Sequence, residues 1–159
     1  MDTTSRWRST SATATAAIGD TRLVLVASRA ALHQHANGLF APGAPADLDV
    51  AIDVHTQEVR WSSTGAGALD WVLGYSRREA LRRDHTDVVG LAARSRQRNH
   101  ANALFADATI TGPGGRWSGS GGFRYFHDQV AARTTSDGRE IALSSTFARF
   151  NPRLVVSRH

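Results

Sequence analysis

Leu69-Asp-Trp-Val-Leu-Gly-Tyr-Ser-Arg-Arg-Glu-Ala-Leu-Arg-Arg-Asp84 decides how the chain is read. Ala68 to Leu73 offers a short apolar helical turn, and Gly74-Tyr75-Ser76 punctuates it. Ser76 followed three residues later by Glu79 is the pattern of a capping box, in which each side chain satisfies the other's amide. It predicts a helix that starts at Arg77 and takes in Ala80 and Leu81.

Working outward, a longer helix is expected over 91–105, with Ala93, Gln97, His100 and Leu104 on one face. Upstream, Leu48, Val50, Ile52 and Val54 alternate strictly with polar residues and read as a half-buried strand. His55 to Glu58 reads as a polar turn, and Val59 to Ser63 as a second strand carrying Trp61. Downstream, residues 111–122 are too rich in glycine for regular structure throughout and are expected as a loop or tight turns. Asp137-Gly138 is the pair that a two-residue type I′ hairpin requires, because both positions need positive φ. That turn would set Val130, Ala132 and Thr134 opposite Ser145, Leu143 and Ile141.

Composition sets the bounds. The 159 residues carry a net charge of +5, all nineteen basic residues are arginine, and cysteine is absent. The missing cysteine removes disulfides, thiolate metal sites and thiol nucleophiles. The longest apolar run, Leu23 to Ala27, is too short for a membrane-spanning helix. A cytoplasmic protein without membrane contact is the resulting expectation. Residues 1–19 read as a flexible leader, and 20–47 as an N-terminal helix followed by a Pro/Gly linker at 41–46. Leu25, Leu32, Ala36 and Leu39 would form the apolar face of that helix. The folded domain would span 48–150, and 151–159 a tail. Seven arginines fall between Arg77 and Arg98, interrupted by Glu79, Asp84 and Asp87. Without interleaved aromatic residues they read as a solvated helical face, and a nucleic-acid partner is disfavoured.

The order is two strands, short helices, a longer helix and an antiparallel hairpin, an α+β pattern with helices inserted midway through a five-stranded sheet. In that order, Gly74-Tyr75-Ser76 with Glu79-Ala80-Leu81, the arginine-rich helix holding His100, and Thr135-Ser-Asp-Gly-Arg-Glu-Ile-Ala-Leu-Ser144 resemble the landmarks of bacterial sensory PAS domains. The resemblance implies a sensory or protein-interaction module of signal transduction. Its pocket would be lined by Trp61, Trp71, Tyr75, His100, Leu104, Ile141, Leu143 and Phe147. It also implies that His100 would be the axial ligand if haem were bound, whereas a cysteinyl-flavin adduct is excluded by the missing cysteine. Partners would be a second copy, packed through the 20–40 helix, and a separate output protein.

No catalytic constellation stands out. His85 with Asp84 and Asp87 reads as a solvated loop cluster, and Ser118 lacks the strand-turn-helix setting of an activated nucleophile. One alternative is a cone-shaped fold resembling polyketide cyclases and ketosteroid isomerases, suggested by Asn102 to Gly112 followed by Gly115-Arg-Trp-Ser-Gly119. It would make the chain an enzyme or a small-ligand carrier.

Overall fold

Seven long strands, each hydrogen-bonded only to its neighbours in sequence, make one antiparallel meander in the computed structural model, which describes residues 2–41, 43–65 and 67–158. The strands are β1 (Asp2–Ile18), β2 (Thr21–Ala41), β3 (Ala44–Ser63), β4 (Leu69–Val88), β5 (Leu91–Thr111), β6 (Trp117–Ser136) and β7 (Arg139–Arg158). A single 3-10 turn, Pro113–Gly115, is the only helical element among the described residues.

This overturns the α+β expectation. The capping-box segment lies inside β4, where Ser76 and Glu79 point to opposite sides of the sheet. The expected 91–105 helix is most of β5, so Ala93 and Gln97 project from one face and His100 and Leu104 from the other. The expected N-terminal helix is β2, which divides Leu25 and Leu39 from Leu32 and Ala36 in the same way. With no helix there, the proposed dimer-packing surface does not exist. Residues read as a leader form β1, and those read as a tail lie in β7 up to Arg158, with Met1 and His159 outside the described residues.

The supposed 41–46 linker is a hairpin connection. Gly43 has φ 77°, Pro45 pairs with Leu39, and a register irregularity lies between Leu39 and Ala41 (Pro42 falls outside the described residues). The expected turn at His55–Glu58 is continuous strand, so β3 absorbs both predicted strands. The Asp137-Gly138 hairpin has the anticipated register, with Val130 opposite Ser145, Ala132 opposite Leu143 and Thr134 opposite Ile141. Its two turn residues have φ 50° and 73°, as a type I′ turn demands. Val89 and Gly90 turn β4 into β5 with the same signs, φ 55° and 78°.

One layer of sheet gives little interior. Among the described residues, Ala36, Ala101 and Ala103 are the buried hydrophobic ones, and no large side chain is fully buried. Close approaches occur across the sheet instead. A methyl group added at Gly74 would overlap the ring of Phe105 on the neighbouring strand, so this glycine is the seat for that ring. A Cβ at Gly122 would lie 2.6 Å from the carbonyl oxygen of Ala106, a backbone atom with little freedom to yield.

Candidate functional site

The register places every side chain on one of two faces, because successive residues of a strand alternate. On the face that carries Tyr75, here the front, one cross-strand row reads Ala14, Leu25, Val59, Tyr75, Leu104, Tyr125 and Phe150. The next row toward the 112–116 turn reads Ala16, Leu23, Trp61, Leu73, Ala106, Phe123 and Pro152. Beyond them come Ile18, Leu69, Trp71, Ala108, Ile110, Leu154 and Val156. On β6 the band runs over residues 117–125, from Trp117 at one margin to Tyr125 at the other. Its side chains are open to the surroundings: Ile110 is 60% exposed and Leu154 81%.

The back face of the same strand segments is polar. Arg22, Arg60, Arg124, Arg149 and Arg153 lie there with Glu58, Asp70 and Asp107, among fewer apolar groups such as Val72 and Phe105; Asp128 is on the same face just above the band. Asp128 is buried and accepts a hydrogen bond from Asn99 Nδ2 at 2.8 Å.

Midway along the strands the front face changes character. The row Gln57, Arg77, Asn102 and His127 ends the apolar band. Above it the front carries Arg29, Asp53, His55, Glu79 and His100, and then Arg83, Arg96 and Arg133 side by side on three strands. Arg29 donates to Asp53 through Nε at 3.1 Å and Nη2 at 2.6 Å. That charge-assisted bond holds the Asp53 carboxyl below the ordinary carboxylate range. The back face in this upper half is mixed: one row reads Trp7, Leu32, Ile52, Arg82, Gln97, Ala132 and Leu143.

The residues expected to line one pocket are divided by this geometry. Trp61, Trp71, Tyr75, His100 and Leu104 project from the front, and Ile141, Leu143 and Phe147 from the back. Trp61 and Trp71 meet edge to face with ring centroids 5.3 Å apart. The Trp61 indole N–H donates to Thr21 Oγ1 at 2.9 Å, and the Tyr75 hydroxyl donates to Asn102 Oδ1 at 2.8 Å. Phe147 packs on Phe126, centroid to centroid 5.8 Å. His100 Nδ1 lies 3.7 Å from Glu79 Oε1. His85 and Asp87 share the front, whereas Asp84 is on the back and accepts both carboxylate bonds from Arg82 Nε, at 2.8 and 2.9 Å. Ser118 stands one residue into β6, beside Trp117, whose ring carries the Arg158 guanidinium 5.3 Å from its centroid.

Sequence reasoning missed the band itself. Its signal was present as alternation at 69–75 and 104–110, one short run per strand, and only the register joins those runs into a surface.

No family pattern and no curated protein matches this sequence. Solved structures do match the fold. The ferric yersiniabactin uptake receptor FyuA from Yersinia pestis superposes with a TM-score of 0.75 at 16% identity, over 94% of this chain and 25% of that one. The unliganded ferric citrate transporter FecA gives a TM-score of 0.64 at 13% identity, over 98% of this chain and 25% of that one. The RagAB peptide transporter gives 0.59 at 8% identity, over 94% and 25%. The chain thus spans about a quarter of the length of the structures it resembles. These likenesses and the all-strand meander correct the PAS assignment. They equally remove the cone-fold alternative, which needs a helix against a curved sheet. The expectations of a cytoplasmic sensor, a signalling output partner and no membrane contact go with that assignment.

Proposed function

We propose that these seven strands are a section of the wall of an outer-membrane β-barrel transporter, with the front face toward lipid and the back toward the lumen. The observation that carries this reading is the apolar band on one face directly behind a charged face. Lipid on one side and water on the other demand that arrangement, and among the described residues no second layer covers the band as a soluble core would. The nine residues between Trp117 and Tyr125 match the roughly 9–11 that a tilted strand needs to cross hydrocarbon. Aromatic residues at both margins fit the two membrane interfaces.

The strands of 17–21 residues are about twice that crossing length, so their charged halves extend beyond the membrane. β1 and β7 each pair on one side only. A lipid-embedded edge leaves backbone groups unsatisfied, so the wall is closed by further strands. Barrels of about 22 strands serve as plugged outer-membrane transporters, and the similar structures are named for uptake of ferric siderophores, ferric citrate or peptide. Uptake of a small ligand through the completed barrel, without catalysis by this section, is the function we assign.

Tryptophan fluorescence tests the orientation. Variants keeping only Trp71, or carrying as their sole tryptophan Thr109→Trp at the same depth on the back, would be reconstituted in vesicles with brominated acyl chains. Trp71 emission should be strongly quenched and that of the residue at position 109 little changed. Equal quenching of both, or of neither, would overturn the assignment.

A further inference from the structure

We infer that the upper front face holds a divalent transition-metal site built from His35, Asp47 and Asp49. The strand register puts His35 directly opposite Asp49, with Asp47 two residues along β3 on the same face. One donor atom from each lies within 4.8 Å of the other two. His35 Nδ1 is 3.3 Å from Asp49 Oδ1 and 3.5 Å from Asp47 Oδ1. Ligands bound at about 2.0–2.2 Å in a tetrahedron, the Zn2+ habit, stand about 3.3–3.6 Å apart. The two separations from His35 fall in that range, and the two carboxylates lie within 4.8 Å of each other.

Two further atoms point the same way. Asp47 Oδ1, on a half-exposed side chain, is itself shielded from solvent and makes no hydrogen bond, with His35 Nδ1 3.5 Å away; His85 Nδ1, on the strand beyond, is shielded with no hydrogen-bond partner. His85 is directly opposite Asp49, and Asp47, Asp49 and His85 border one open hollow. A cation placed among the three donors would satisfy the orphaned carboxylate oxygen, and a turn of the His85 side chain would supply a fourth ligand. Two carboxylates and neutral imidazoles balance a doubly charged ion. Mixed nitrogen and oxygen donors select zinc-like cations over calcium or magnesium, which take oxygen shells. The site ties β2 to β3 next to their connecting turn, and its argument rests on the strand register, independent of which face meets lipid.

Zinc chloride titrated calorimetrically into the full chain, folded in detergent micelles, should bind at one equivalent. His35→Ala and Asp49→Asn should each weaken that binding at least tenfold, and His127→Ala, on the same face but outside the cluster, should leave it unchanged. A measurement on the unmutated chain guards against variants that fail to fold. Zinc should protect His35, and not His127, from carbethoxylation read by peptide mass spectrometry. No saturable binding, equal binding by folded variants, or no selective protection of His35 would each show an ordinary imidazole–carboxylate ion pair and overturn the site.

Discussion

Val89 is a β-branched residue in the left-handed region, at φ 55°, the first position of the β4–β5 turn. Its Cβ crowds the backbone there, at a cost of about 1–2 kcal/mol. The turn persists because Gly90 takes the second position freely, and its amide donates to Asp87 Oδ1 at 3.0 Å. Val89→Asn should therefore stabilise the folded chain by about 1 kcal/mol, since asparagine visits this region readily. Urea unfolding in micelles measures it, and an unchanged or lower midpoint would contradict the strain. Asp137, at the equivalent place in the β6–β7 turn, already has a residue type suited to it. That is why the one hairpin was legible from sequence and the other was not.

At the scale of one strand, neighbouring residues point to opposite faces of the sheet, and on the proposed reading meet different media. Ala108 and Thr109 are consecutive on β5, the first in the middle of the apolar band and the second on the charged back. Ala108→Arg should destabilise the membrane-folded state by about 2–4 kcal/mol, the range for arginine near the bilayer midplane on a lipid face. Thr109→Arg should change stability little. Equilibrium unfolding from vesicles compares the two, and similar costs would argue against the two-faced wall.

The same alternation explains what the sequence concealed. Along β3 the apolar side chains are Leu48, Val50, Ile52 and Val54 on the back, then Val59 and Trp61 on the front. The phase changes by one residue between them, which from sequence alone is a turn dividing two strands. In β2 the same slip leaves Leu25, Leu32, Ala36 and Leu39 at separations that fit a helix. The period-2 signal was legible within each half-strand, so strand type was recovered at 48–54, 59–63 and around Asp137-Gly138. The candidate residues were legible as apolar or aromatic. Which face each belonged to was not, because face assignment depends on pairing between strands.

At the scale of the molecule, the missing interior becomes intelligible. A soluble domain of this length buries a core, whereas here the large apolar groups stay exposed, most of them in the front band and others, such as Trp7, Leu143 and Phe147, on the back. The chain should accordingly gain its strand signal in circular dichroism when diluted from urea into detergent micelles, and associate into sedimenting material when diluted into buffer alone. A monomeric, folded chain in detergent-free buffer would contradict a lipid-covered face. The Arg29–Asp53 pair lies above the band on the front, and Asp128 with Asn99 above it on the back.

The Gln57–Arg77–Asn102–His127 row has a consequence for assembly. Below it, strands are joined by the short connections at 19–20, 64–68 and 112–116; above it stand the arginines, histidines and carboxylates of the upper front face. On the proposed reading the upper front face, with its charges pointing to the lipid side, stays outside the hydrocarbon, whereas the charges level with the middle of the band lie on the back. On that reading, the polar row is the stop that sets how deep the wall sinks.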